Sequence, residues 1–207
     1  FFSLLKRKLI YNIKKKTSID GDNFDNPSLD ELFNYYGSDK ANFFKIKNTE
    51  GHGFSEFYTR HLEHYKNKQI NILELGSYAG ASAAAFVKYF KKAHIYCFDI
   101  NISIIKYSSK NISVFGVDVK NQIKVESILK KIFIKNNFEK FDIIIDDGSH
   151  KLSDILFSLK FFFRFLQKDG IYVIEDYKHP NYYKYNKDSD DILISDLLNF
   201  LKKKEFF

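Results

Sequence analysis

Ile70-Asn-Ile-Leu-Glu74-Leu-Gly76-Ser-Tyr-Ala-Gly80 is the stretch on which the reading of this chain turns. A short apolar run, rich in β-branched residues, breaks at two glycines and passes directly into the helical pattern 81–92. Strand, tight turn and helix in that order are the first half of a βαβ unit. Four further runs repeat the theme downstream, at 94–99, 112–117, 141–146 and 171–175, with helical stretches at 122–136 and 152–166 between them. Runs that are apolar at nearly every position belong to a parallel sheet covered on both faces. The expected fold is therefore α/β: a doubly wound, mostly parallel, Rossmann-like sheet with helices on both sides and right-handed crossovers.

Upstream of position 69 the pattern is different. Apolar residues at 2, 5, 9 and 13 read as an amphipathic helix over 1–16, a polar turn-rich linker covers 20–27, and two short helices are expected at 28–36, stopping at Gly37, and 55–65. The division read from this contrast is an N-terminal helical extension, 1–68, and a ligand-binding domain, 69–207.

A chain of 207 residues with 44% hydrophobic and 29% charged residues is long enough for one cored domain and too apolar for wholesale disorder. No apolar run approaches the length of a spanning helix, and a single cysteine, Cys97, excludes an internal disulfide framework and a cysteine-rich zinc site. These features point to a soluble, cytoplasmic protein. The net charge of +7 invites an anionic partner, yet of 33 basic residues only Arg7, Arg60 and Arg164 are arginine, the residue that nucleic-acid readers use for bidentate contacts. The lysines read as solvated surface, and nucleic acid as a disfavoured partner. The sequence has no Met and begins and ends in Phe-Phe, as in a trimmed chain or a fragment.

In a doubly wound sheet, ligands bind beyond the carboxyl ends of the strands, so the strand ends are where the functional residues are expected. The first carries Glu74 and the Gly76/Gly80 turn, where missing side chains let a ligand approach the backbone at a helix amino end. The spacing is neither the dinucleotide fingerprint nor a phosphate loop. The second ends in Asp99, placed to accept both hydroxyls of a ribose, and the third in Gly116-Val-Asp118. Glu74-x-Gly76-x-x-x-Gly80 followed by Asp99 and Asp118 resembles the cofactor site of class I S-adenosylmethionine-dependent methyltransferases. That resemblance, over roughly 70–176, implies that the glycine turn lies against the methionine part, Asp99 holds the ribose and Asp118 lies near the adenine.

The fourth and fifth strand ends read Asp146-Asp147-Gly-Ser-His150 and Glu175-Asp176-Tyr177. Neighbouring strands are about 4.8 Å apart, so Asp147, Glu175 and Asp176 converge. Three carboxylates without basic partners would repel one another, and a hard cation such as Mg²⁺ resolves the conflict. His150, three residues beyond Asp147 at the start of the next helix, is placed to take a proton from an acceptor hydroxyl. This second constellation resembles the metal-dependent sugar O-methyltransferases of macrolide biosynthesis, the mycinamicin VI and macrocin type. The resemblance implies that Asp147, Glu175 and Asp176 ligate the metal and that Asp147 and His150 form the catalytic Asp-x-x-His motif. Tyr36-Gly-Ser-Asp39-Lys40 and Gly51-His52-Gly-Phe-Ser-Glu-Phe-Tyr58 are similar to the segment preceding the fold in that group. Ordinary turns serve equally well for Lys40, His52 and Tyr58, whose roles stay open.

The implied activity is transfer of the methyl of S-adenosylmethionine, with Mg²⁺, to a hydroxyl of a sugar, glycan or glycosylated small molecule. The alternatives are nucleic-acid methylation, against which stands the absence of a Pro-Pro-aromatic tetrapeptide, with Glu175-Asp-Tyr-Lys at the strand end instead, and a catalytically inactive binding module of the same fold. One departure from the class is expected. After Asp176 come a tyrosine-rich loop, 179–191, and a helix, 192–204, but no sixth and seventh strands forming the usual C-terminal hairpin. Such a sheet would have an open edge for a cover or a second copy of the chain.

Overall fold

The glycine turn does join a strand to a helix, at the centre of a five-stranded sheet. The structure, a computed structural model, describes residues 16–177 and 190–203. Its sheet is made of β1 (Gln69–Leu75), β2 (Lys92–Asp99), β3 (Ile112–Gly116), β4 (Phe141–Asp146) and β5 (Leu166–Ile174), all parallel, in the spatial order β3-β2-β1-β4-β5. The chain reverses its direction of travel across the sheet between β1 and β4, which makes their carboxyl ends the switch point.

Alternation along the strands assigns the two faces. Ile70 and Ile72 of β1, Ile95 and Cys97 of β2, and Ile143 and Ile145 of β4 pack beneath α3 (Ala81–Tyr89), together with α1 (Leu29–Tyr36) and α2 (Ser55–Leu62). Leu73, Leu75, Phe98 and Ile144 face the other way, onto α4 (Gln122–Asn136) and α5 (Leu152–Phe162). α6 (Ile194–Lys203) adds a small cluster in which Ile194 meets Leu152 and Ile155. No helix among the described residues is long and apolar enough to cross a membrane.

α1 forms where its ends demand it. Ser28 and Glu31 make a reciprocal capping box, and Gly37 closes the helix in the left-handed conformation. Leu32 and Phe33 are wholly buried, and edge-on contacts among Phe33, Tyr58 and Phe86 bind α1, α2 and α3 together. Residues on both sides of position 68 thus share one core. The linker 20–27 is tied down as well, since Asp22 accepts from Tyr36 through its side chain and from Lys88 through its carbonyl.

Boundaries shift where local geometry overrides the apolar pattern. The helix expected over 152–166 ends at Phe162 and gives way to a single tighter turn, Phe163–Phe165. β5 then starts at Leu166 rather than 171 and bulges before Ile171 regains register with Ile143. The expected amphipathic stretch 1–16, apart from Lys16, and Tyr182, Tyr183 and Tyr185 lie outside the described residues. Among the described residues no strand follows β5.

Candidate active site

A cleft of about 900 Å³ opens over the switch point, lined among others by Gly76, Asp99, Asp118, Asp147, His150 and Lys40. Backbone pairing carries the sheet right up to it: Gly76 N–H donates to Phe98, Asp147 N–H to Leu75 and Glu175 N–H to Asp146.

The turn after β1 is built on positive φ. Gly76 (+85°) and Gly80 (+75°) bracket Tyr78, held at +45° although it is aromatic. At Gly76 a side chain is excluded twice over, because a Cβ would lie 2.2 Å from the Asp147 carbonyl oxygen. Asp99 stabilises the unusual Tyr78 backbone by accepting its N–H at 2.8 Å through Oδ2, while Oδ1 accepts from Asn101 N–H. Each of these oxygens keeps a second lone pair for a ligand. Asp118 is exposed in the cleft and orders its own turn through Lys120 N–H.

Glu74 departs from its expected place. It has no exposed surface and does not line the cleft. Its carboxylate accepts from Ser82 at 2.5 Å at the start of α3, and burial raises its pKa. The cause is strand parity: as residue i+4 from Ile70 it points into the apolar face under α3, where its carboxylate meets Ser82 beneath the glycine turn.

The acids at β4 and β5 converge on a basic partner, Lys40. The Lys40 ammonium lies between them, 2.5 Å from Asp147 Oδ2 and 2.7 Å from Glu175 Oε2, and the Tyr58 hydroxyl donates to Glu175 Oε1. The expectation of carboxylates without a basic partner is therefore corrected. Lys40, Tyr58 and Glu175 are buried, and Asp147 is half-buried at the cleft. Burial raises Glu175 to about 7 against the opposing pull of Lys40, and raises Asp147 despite the same ammonium. The lysine stays protonated, since its two carboxylates outweigh the burial that acts against its charge. Asp146, one residue before, is buried too and raised to about 7 by burial.

Asp147 also faces a second group. One ligating atom each from Asp147, His150 and Asp176 lie within 4.8 Å of one another, the one group among the described residues with a metal-ligating arrangement. Asp176 takes a left-handed backbone (φ +51°) to reach it, a strained state of the kind that collects at functional sites. His150 gets there through the loop that follows β4. α5 begins only at Leu152, so the spacing of three from Asp147 is a loop geometry and not a helical one. Glu175, expected as a ligand, is not in this trio; its Oε2 accepts from Lys40 and its Oε1 from Tyr58.

Lys40 is fixed by a backbone mesh. Gly51, His52, Gly53 and Phe54 donate their N–H groups to the carbonyls of Asn42, Asp39, Ala41 and Lys40. A Cβ on Gly51 would lie 2.0 Å from the Ala41 carbonyl oxygen, so this close approach requires glycine. Asp30 of α1 reinforces the mesh by accepting from Asn42 N–H and the Ser55 hydroxyl. His52 itself is exposed against Phe54, outside the cleft. A signal for Tyr58 did exist in the sequence: with Ser55 and Leu62 it marks the buried stripe of α2, and a buried phenol needs an acceptor.

With this geometry in view, the comparisons with known proteins gain meaning. The model of a family described as a methyltransferase domain matches residues 66–203. Mycinamicin VI 2''-O-methyltransferase of Micromonospora griseorubida is 29% identical over 157 residues, covering 72% of this chain and 36% of that protein. Demethylmacrocin O-methyltransferase of Streptomyces fradiae is 27% identical over 171 residues, 79% of this chain and 40% of its own. Among solved structures, MycE methyltransferase from the mycinamycin biosynthetic pathway, in complex with Mg, SAH and mycinamycin VI, superposes with a TM-score of 0.69 at 26% identity, over 86% of this chain and 48% of that one. The chain spans half or less of the length of each of these relatives.

Proposed function

We propose that this chain, which belongs to the methyltransferase-domain family, transfers the methyl group of S-adenosylmethionine to a hydroxyl of a sugar or glycosylated small molecule with the help of Mg²⁺. The observation that carries the reading is the meeting of Asp176 with Asp147 and His150, two residues that line the cleft, next to the tight glycine turn after β1. Relatives named as O-methyltransferases of mycinamicin VI and demethylmacrocin, and a similar fold solved with Mg and SAH, support it.

The donor set fits a hard cation, being carboxylate oxygens with one imidazole, and its negative charge exceeds what Lys40 neutralises. Asp147 and Asp176 would hold the metal, joined by Glu175 where its oxygens are released by their present donors. When bound, S-adenosylmethionine supplies a methyl activated on sulfur, and Mg²⁺ supplies positive charge that favours loss of the acceptor's proton.

The chain's own residues do the rest. Asp99 offers its remaining lone pairs to the ribose hydroxyls, and Asp118 lies on the adenine side. Gly76 and Gly80 hold the tight turn along which the methionine part would run, Gly76 by letting the Asp147 carbonyl pack directly against it. Glu74 and Ser82 keep that turn in shape from below. The acceptor oxygen forms its bond to the methyl carbon as the carbon–sulfur bond breaks, and His150 takes the hydroxyl proton.

Calorimetric titration of S-adenosylhomocysteine into metal-stripped chain, followed by Mg²⁺, tests the reading. Cofactor binding plus a Mg²⁺ site that disappears in Asp147→Asn is the expected outcome. Cofactor binding with no Mg²⁺ heat would leave methyl transfer and remove the metal. Absence of both would defeat the proposal. Asp99→Ala should weaken S-adenosylhomocysteine about tenfold, as loss of a charge-assisted hydrogen bond does.

A further inference from the structure

The carboxylate site contains a cation of the chain's own. The Lys40 ammonium bridges Asp147 Oδ2 and Glu175 Oε2, and so joins the ends of the adjacent strands β4 and β5. These are two of the three carboxylates assigned above to the metal, and lone pairs that accept from an ammonium are not open to a divalent ion. Two cations sharing both oxygens at such distances would repel strongly in a buried site. Asp176 and His150 meanwhile stand with Asp147, all within 4.8 Å, with no part in the lysine bridge.

The way Lys40 is anchored decides what can move. Its carbonyl accepts from Phe54 N–H and the Ser55 hydroxyl, and its own N–H donates to Ser38 Oγ. The backbone is thus held, while the four-carbon stem has rotatable bonds and the residue borders the open cleft. We infer that Lys40 is a tethered place-holder for the divalent cation: its ammonium keeps Asp147 and Glu175 together in the metal-free protein and withdraws into the cleft when the metal takes their oxygens. The inference rests on the metal-dependent reading of this site. It makes Lys40 a positioning residue that competes with the metal, and gives the N-terminal segment a direct part in setting metal affinity.

Lysine acylation with an N-hydroxysuccinimide ester, read by peptide mass spectrometry on the full chain, needs no variant. Lys40, only 2% exposed, should be protected without metal and label at least about fivefold faster in saturating Mg²⁺, with the other lysines unmoved. Calorimetry adds the sign. If the bridge leaves one site in ten open, Lys40→Met should tighten Mg²⁺ about tenfold, because apparent affinity scales with the competent fraction. Lys40→Arg should return it towards the original value. A lysine that merely holds the scaffold would do the reverse, its loss scattering the carboxylates and weakening Mg²⁺. Mg²⁺ binding with unchanged Lys40 labelling overturns the inference alone. Absence of any Mg²⁺ heat overturns both it and the metal-dependent reading. The labelling result stands even where Lys40→Met does not fold.

Discussion

The sheet, 69–174, and the segment 29–65 ahead of it build opposite halves of one site. From the sheet come the acids, each delivered by the same rule: Asp99, Asp118, Asp147, Glu175 and Asp176 lie at or just past the carboxyl ends of successive strands. From the preceding segment come a cation and a phenol, Lys40 and Tyr58, which reach Asp147 and Glu175 across sequence separations of 107 and more. The sheet places its groups by repetition and the segment places its own by a single mesh of backbone bonds around Gly51. The difference teaches that negative charge at such an edge comes with the architecture, whereas its neutralisation has to be imported.

The sharpest way to break this division is to remove the import. Lys40→Ala leaves the buried Glu175 and the half-buried Asp147 without their cation; losing one partner of a buried ion pair costs about 3–5 kcal/mol, and the Asp147 side, open to the cleft, contributes less than the Glu175 side. Urea unfolding of the metal-free chain should show that loss, and added Mg²⁺ should recover part of it. A loss below about 1 kcal/mol would mean that the carboxylates relax into solvent and that segment and sheet are not interdependent.

His150→Ala tests the other half. It sits on the loop after β4 with a ring nitrogen close to the Asp147 carboxylate, and its loss should lower turnover about 10²-fold or more, the usual worth of a general base, with S-adenosylhomocysteine affinity held within about twofold. Single-turnover rates with a methylatable sugar acceptor would check it. Unchanged turnover would strip His150 of the proton-transfer role and leave it to the metal group alone.

How far the sequence alone reached follows the same division. Phe141–Asp146 and Gln122–Asn136 end where the apolar pattern ends, and the remaining strands differ at their boundaries only, because a parallel strand buried on both faces has nothing but its own composition to announce it. Asp147 and Asp176 were legible as a pair for that reason: strand ends in a parallel sheet are neighbours by construction. Lys40 was not, since a lysine in a Ser-Asp-Lys turn carries no local mark of burial and its partners lie more than a hundred residues away. Glu74 misled for a related reason. Its position in the motif is fixed, but the face it points to depends on strand parity, which sends it under α3 and not into the cleft. His150 was placed correctly beside Asp147 but through a loop, since α5 starts later than the apolar periodicity implied.

The smallest effect comes from Ser28→Ala and asks whether the segment acts as one body. Ser28 caps α1 with its hydroxyl while Glu31 closes the box on Ser28 N–H, so the change should cost about 1 kcal/mol, the common worth of a lost cap. Ser28 touches neither the cleft nor the Lys40 bridge. If Leu32 and Phe33, buried against α3, hold α1 in place, the weakened end frays alone and the Mg²⁺ and S-adenosylhomocysteine affinities stay as they were. Should Mg²⁺ affinity shift by more than about twofold, the first turn of α1 is transmitting to Lys40. Asp30, at the second position of α1, is the one link that could do it, because its carboxylate accepts from Asn42 N–H and Ser55 and so connects the helix start to the mesh that fixes the lysine. Asp30→Ala beside Ser28→Ala would then separate fraying of the helix from loss of that strut.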